Sequence, residues 1–472
     1  MSTTINILGY KWTPQKRVRP WALAGPILIL LFCLPLLRPL RHPDPRDISD
    51  NESARLATVQ AIVERRSLVI DDSQFHVPRS NLIFVGSDRY AAQPATMALL
   101  LSGAYWVMTK LGIDFASHGP TAMYVLTLLG VTIPVAASAG LVYRMARIFE
   151  LGRPWRMGLG LACVFGTGLI SYATVLNAHA PAAVLVLCAA ACLIHVLRSP
   201  FPRQNAPWLM VAGFCAALAA AIDPPAILFL ALFIPVIFAL RWPIRLRVAG
   251  FALYAIGLSG PLALHSALTV PVTGDLLPPP YHAELRAVAP LPKLAPAPPI
   301  MPDDDLDDYQ VSIWSRVGDG IGRCLMALIG EHGLLSHFPI LLVGVLGTAM
   351  IMHRHWPSPT KVLAAASMAG SAAIILIFAL AKTDWHDAMF AARWFIVFSP
   401  LAMFWAGAWL RKSHRPQSWV LMGVTLAFSV IVSSIGATGA WPHDGFDRWT
   451  VVGAVKNLVS QDTTNDALAG RQ

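Results

Sequence analysis

The 472-residue sequence is short of charge. Asp, Glu, Lys and Arg make up 13% of it, where a soluble domain has about a quarter. It has no P-loop, no GxGxxG after a strand, no HExxH and no GxSxG, so the common soluble nucleotide, dinucleotide, zinc-peptidase and serine-hydrolase chemistries have no foothold. Its six cysteines include no CxxC pair. Cys33, Cys163, Cys188, Cys192 and Cys215 lie inside apolar runs and read as small buried side chains rather than a redox or metal framework, although Cys188 and Cys192 share a helix face. The net charge of +10 comes without a basic–aromatic groove motif, so nucleic acid is not the expected partner. No A-x-A-like site follows the apolar segment Trp21–Leu40, which is longer than a signal h-region and reads as a membrane span.

What is abundant is apolar sequence, at 56% of the residues. Apolar runs lie near 21–40, 94–112, 121–143, 157–175, 180–197, 207–222, 224–240, 248–270, 333–352, 361–381, 391–410 and 417–438. Each approaches the ~20 residues that cross a bilayer as a helix. The expected class is therefore all-α and polytopic. Basic loops (Arg144–Arg156, Arg198–Arg203, Arg241–Arg247, Arg354–Lys361, Arg411–Arg415) alternate with loops poor in Lys and Arg, as the positive-inside rule demands from residue 121 onward. This puts 271–332, the 382–390 loop and the tail 441–472 outside. Charge counting leaves 94–112 open. As an interfacial hairpin it gives about eleven transmembrane helices and an external 41–93; as a span it turns 41–93 inward.

Two loops carry amphipathic patterns. In 41–93, Leu56, Val59 and Val63 recur at helical spacing over about three turns, with Ser49 or Asp50 to cap the start. In 271–332, a Pro-rich stretch and the acidic run Asp303–Asp308 precede Val311, Trp314, Val317, Ile321, Leu325 and Leu328, the stripe of a helix lying along a membrane surface.

The chemistry-bearing candidates are polar residues at membrane boundaries, where ionisable groups are costly. Asp50 and Glu52 head the first amphipathic helix, either as caps or as a general base for an acceptor hydroxyl or amine. Asn177 and His179 occupy a very short external loop, either as satisfied loop residues or as ligand contacts. Lys382, Asp384, His386 and Asp387 crowd another loop, ahead of Arg393 at the mouth of the next run. That arginine either pairs with a neighbouring acid or grips an anion such as a lipid-linked phosphate. Glu331, His332 and His337 lack a fixed ligand spacing, and no metal residues are assigned.

Taken together, these features resemble the GT-C class of integral-membrane glycosyltransferases, in the branch of protein O-mannosyltransferases and the lipid A aminoarabinose transferase. One span is followed by a loop that opens with Asp50-Asn51-Glu52. The helix Ser53–Arg66 leads into SLVID at 67–71, then Tyr90-Ala-Ala-Gln-Pro94. HGLLSHFPILL at 332–342 and DAMFAARWFIVFSPL at 387–401 resemble later segments of bacterial relatives. The likeness covers most of the chain but is diffuse.

The resemblance implies a GT-C-like domain over 1–440 in a bacterial-type inner membrane, a first-loop carboxylate as base, and a polyprenyl-phosphate-linked sugar as donor. The acceptor, a glycan, lipid or protein, would be extracytoplasmic. Arg55, Arg89 and Arg393 would hold the departing lipid phosphate, and a divalent cation is compatible with the class. It also implies a second large external loop after the seventh span, which 271–332 supplies under the eleven-span topology. Family members often have Lys-Pro-Pro where this chain has Gln93-Pro94-Ala95, and an adjacent Asp-Glu pair where it has Asp50-Asn51-Glu52. A transporter or flippase and a non-catalytic scaffold are the rival readings. Against transport stand the absence of an internal repeat and the scarcity of charge in the middles of the runs.

Overall fold

The computed structural model describes residues 5–7, 10–12, 20–41, 48–199, 202–282, 285, 313–380, 390–412, 414–439 and 450–452. Among the described residues the strands are confined to two hairpins, Ile5–Ile7 with Tyr10–Trp12 and Leu82–Val85 with Asp88–Ala91. Helices make up most of the rest. Those that bear on the site are α1 (Trp21–Cys33), α2 (Asp50–Gln60), α3 (Thr96–Lys110), α4 (Arg153–Phe165), α5 (His179–Arg198), α6 (Ala206–Ile222), α7 (Ile244–Thr273), α8 (Ile313–Ile329), α9 (Leu341–His353), α10 (Ser358–Leu380) and α11 (Pro416–Thr438).

Among the described residues six runs are long and apolar enough to cross a membrane: Trp21–Leu40, Phe115–Phe149, His179–Arg198, Ile244–Thr273, Ser358–Leu380 and Pro416–Thr438. A seventh is made by Gly320–His337 with Leu341–His353 if that pair, bent by 94°, is one span. The other apolar runs of the sequence are realised as shorter helices, Ala206–Ile222 and Pro224–Phe238 among them. The protein is thus an all-α, multi-pass membrane protein. A helix satisfies its own backbone, which is what a lipid environment requires of a crossing segment.

The apolar run 157–175 behaves differently. Helix α4 ends at Phe165, and residues 166–178 continue as irregular chain that is buried throughout. Buried non-helical backbone is tolerated only where its polar groups find partners, and here they do. Thr132 Oγ1 donates to the Ala173 carbonyl at 2.8 Å, Ser171 Oγ to that of Ser433 at 2.9 Å, and Thr174 Oγ1 to that of Ala437 at 2.9 Å. Gly168 makes the turn possible with φ +75°, and a Cβ there would lie 2.5 Å from the Phe338 ring. The Arg38 N–H donates to the Thr174 carbonyl at 3.0 Å, so the segment is fixed between the end of the first span, α5 and α11, with its C-terminal end facing α2.

Helix α2 also departs from expectation. An amphipathic helix lying on a surface keeps one face in solvent, but every residue from Glu52 to Ala61 is buried, Thr58 and Gln60 included. Helix α3, the Leu82–Ala91 hairpin and the 166–178 segment cover it. The helix stripe was legible, but not the fact that its polar face is also enclosed. Helix α2 ends in a π-turn over Ala61–Arg65, closed by Arg66 in the left-handed region at φ 53°. Helix α8 matches the second stripe, spanning Ile313–Ile329 and exposing Ile321, Leu325, Met326 and Ile329.

Candidate functional site

The head of α2 organises the site. Ser49, not Asp50, is the N-cap, and the Ser49-x-x-Glu52 spacing is that of a capping box. The backbone of Asp50 opens the helix, while its side chain lies outside the described residues. Asn51 is held by Gln93, whose amide donates to the Asn51 side-chain oxygen at 2.8 Å. The Gln93-Pro94 segment is therefore seated directly on the acidic cluster.

Glu52 is 4% exposed and accepts three hydrogen bonds. Arg38 Nη1 donates to Oε2 at 2.8 Å, Ser49 Oγ to Oε2 at 2.9 Å, and the Leu176 backbone N–H to Oε1 at 2.8 Å. One carboxylate thus ties together the end of the first span, the head of α2 and the irregular 166–178 segment.

One turn along α2, Arg55 is 8% exposed. It donates to the Asn51 carbonyl at 3.1 Å, and no carboxylate among the described residues forms a salt bridge with it. Its ionisation is pushed down to about 10, first by burial and then by the positive charge of Arg393, with Asp223 and Glu52 opposing. Arg55, Arg393, Asp223 and Glu52 therefore act on one another across a small region, though they come from positions far apart in sequence. Arg393, half-buried, opens a short 3-10 turn and lies over the Trp394 ring at 5.3 Å.

His179 joins this group as the first residue of α5. Its Nδ1 is 2.8 Å from Oδ2 of Asp223, which is 3% exposed and ends α6. Asn177 lies beside it but is fully committed to the loop. Its amide donates to the carbonyls of Tyr172 at 2.6 Å and Val175 at 2.9 Å, and its oxygen accepts from Ala180 N at 2.8 Å.

The structure therefore brings together Glu52, Arg55, His179 and Arg393, with Asn177 shaping the loop that carries His179. It does not bring Arg89 to them: Arg89 is exposed on the hairpin and paired with Asp71 through its side chain and backbone carbonyl. Lys382, Asp384, His386 and Asp387 lie outside the described residues. Two members were not picked out from sequence. Asp223 is a lone acid between two apolar runs, which is a signal of its own. Arg38 sits inside the first apolar segment, where an arginine needs a partner.

Among the described residues no three His, Cys, Asp or Glu side chains gather to hold a metal ion.

No family model and no curated protein matches the chain in sequence. Solved structures do match in fold. The oligosaccharyltransferase of Archaeoglobus fulgidus in its apo form superposes with a TM-score of 0.50 at 11% identity, over 90% of this chain and 57% of that one. The same enzyme in complex with Zn and sulfate gives 0.50 at 12% identity, over 89% and 54%. ArnT from Cupriavidus metallidurans bound to undecaprenyl phosphate gives 0.46 at 12% identity, over 87% and 63%. The chain thus spans little more than half the length of the archaeal enzyme, and the likeness is one of architecture. The chain, a bundle of apolar helices in which a buried loop helix follows the first span, thus shares its fold with the archaeal oligosaccharyltransferase.

Proposed function

We propose that the protein is a membrane glycosyltransferase that moves a sugar from a polyprenyl-phosphate donor to an acceptor on the extracytoplasmic side of a bacterial-type inner membrane. The observation that carries this reading is Arg55. A guanidinium buried without an ion-pair partner among the described residues, and in the field of a second arginine, is poised for an anion that arrives as a ligand. A lipid phosphate meets that need, and its chain is at home among apolar helices. Arg55 and Arg393 bind the phosphate that links sugar to lipid and stabilise the charge it gains on leaving.

The acceptor oxygen attacks the anomeric carbon as the bond from that carbon to the phosphate oxygen breaks. The acceptor proton passes to a carboxylate. Glu52 is committed to three donors that join three parts of the fold, so we assign the base to Asp50 and the positioning of α2 to Glu52. The topology this needs has 41–93 outside and 94–112 as an interfacial hairpin. The 15 residues of α3 reach about 22 Å, short of the ~30 Å hydrocarbon core, and the helix packs on α2, which supports that arrangement.

The test is release of undecaprenyl phosphate. The purified protein in nanodiscs is given undecaprenyl-phosphate-linked hexoses and aminopentoses together with a membrane extract as acceptor source. The wild type is expected to release the free lipid phosphate, and Asp50→Asn to lose about 10²–10⁴-fold in rate at unchanged thermal stability. Full-rate release by an Asp50→Asn/Glu52→Gln double variant overturns the assignment.

A further inference from the structure

Gln93 is anchored through one end of its amide and has no partner at the other. Its Nε2 donates to the Asn51 side-chain oxygen at 2.8 Å and to the Asn51 backbone carbonyl at 3.2 Å. A backbone carbonyl can only accept, so the NH2 group must face it and the amide cannot be turned over. Oε1 is thereby fixed as an acceptor. It is enclosed from solvent and has no hydrogen-bond partner among the described residues. Leaving such an atom unmatched is costly, so its place in the fold calls for an explanation.

Gln93 lines a pocket walled by α2, the Leu82–Ala91 hairpin, the start of α3, the C-terminal part of α7 and Pro279. The other polar groups in the lining are the hydroxyls of Thr58, Tyr90 and Thr269, and no described lining residue is an acid or a cation. Thr58 spends its hydrogen on the Ala54 carbonyl at 2.9 Å, which leaves its oxygen as an acceptor. Gln93 and Thr58 therefore both ask an occupant for hydrogens. A hydroxyl supplies them at little cost, whereas an ammonium ion would be desolvated with no opposite charge in the lining.

Size narrows the choice further. The cavity volume is about 20 Å³. A single water needs ~10–15 Å³ of such space, so a whole sugar ring is too large and a hydroxyl with its carbon fits. The pocket is partly open, so the ring that carries this group can stay outside. Its position is also informative. Asn51, Arg55 and Thr58 follow one another at helical spacing on one face of α2, and Arg55 donates to the same Asn51 carbonyl that Gln93 meets. The pocket thus begins about one helical turn, ~5.4 Å, from the guanidinium assigned to the lipid phosphate. A hexose carries its hydroxymethyl group about one ring width from its anomeric oxygen, a comparable reach.

We propose that this pocket takes the hydroxymethyl group of a hexose, whose hydroxyl donates to Gln93 Oε1. The protein then selects a hexose over a 6-deoxy sugar, which lacks the hydroxyl, and over a pentose, which lacks the sixth carbon. This rests on the glycosyltransferase reading above and makes Gln93 a specificity-determining residue. The hydroxymethyl group arrives either with the donor sugar or with an acceptor sugar, and the two sources are separated by the experiment.

Undecaprenyl phosphoglucose and undecaprenyl phosphomannose are each offered to the protein in nanodiscs as an equimolar mixture with the 6-deoxy analogue. The bound lipids are read by native mass spectrometry. An analogue that leaves Oε1 unpaired is expected to bind about ten- to a hundredfold more weakly for at least one of the two sugars. Gln93→Met, of similar volume but without the acceptor, is expected to bring the bound ratio close to one. Because that change also removes the contact with Asn51, Ala91→Val serves as a second variant. It narrows the pocket from the hairpin, leaves the Gln93–Asn51 bonds in place, and is expected to lower the ratio as well. In a second arm, methyl glycosides of the same sugars and of their 6-deoxy forms replace the lipids. A preference seen only there supports the pocket and assigns it to the acceptor. Equal binding of both forms in both arms overturns the proposal, as does a preference that survives in both variants. Undecaprenyl phosphate that binds and releases as expected without any such preference leaves the glycosyltransferase reading standing. Failure of every undecaprenyl phosphate lipid to bind removes that reading and the donor pocket together.

Discussion

Arg38 donates to Glu52 across 2.8 Å, with 11% and 5% of the two side chains exposed. The arginine ends the first span and the glutamate heads α2, so the pair fixes a loop helix against a membrane helix. Removing one partner of a buried ion pair leaves an uncompensated charge, which typically costs about 3–5 kcal/mol. Glu52→Gln and Arg38→Met are each expected to lower the melting temperature in detergent markedly. A double variant, Arg38→Met with Glu52→Leu, should lose less than the two single losses combined. Additive losses would mean that the pair is not coupled.

Arg55 should trade stability for binding. Its ionisation is lowered to about 10 by burial, so in the folded protein the charged form is disfavoured relative to the unfolded chain. The unfolded chain binds more protons between about pH 10 and the ordinary arginine range, so this group's contribution makes stability rise with pH across that window. At neutral pH its burial is a net cost on the order of 3 kcal/mol. Arg55→Met is therefore expected to raise the melting temperature of the ligand-free protein. It should also abolish the stabilisation that undecaprenyl phosphate gives the wild type. A variant that melts lower and keeps the ligand-induced shift contradicts the anion-site role.

Gly168 is expected to tolerate no side chain. At φ +75° an alanine is strained, and its Cβ would meet the Phe338 ring at 2.5 Å. The combined cost is about 2–4 kcal/mol. Gly168→Ala should reduce the yield of monodisperse protein, and adding Phe338→Leu should recover only the part due to the clash. Because 166–178 carries the Leu176 N–H that meets Glu52, undecaprenyl phosphate binding should fall with it.

The side of the 41–93 loop can be read directly. Ser87 is exposed in the turn of the Leu82–Ala91 hairpin, whereas the six native cysteines are buried or half-buried. A Ser87→Cys variant in a cysteine-free background is expected to react with a membrane-impermeant maleimide in intact cells. Labelling only after the membrane is opened would place this loop in the cytoplasm and remove the topology on which the proposed reaction depends.

The sequence by itself determined the class. Long uncharged runs in lipid have one inexpensive solution, the self-satisfied helix, so an all-α multi-pass protein was legible from composition and run length. So was the start of α2, because Ser49-x-x-Glu52 is a local signal that needs no tertiary partner. What only the tertiary structure decided is which polar groups meet. Arg55 and Arg393 are separated by most of the chain, and His179 and Asp223 by a full helical hairpin, yet each pair shares one region. No periodicity encodes such meetings, since they follow from how helices pack. The run 157–175 makes the same point from the other side: its apolar composition reads as a span, but partners on α11 and the Glu52 carboxylate hold its second half as irregular chain. Burial of that backbone is possible only because distant side chains satisfy it, and it is this buried turn that delivers His179 to the head of α2.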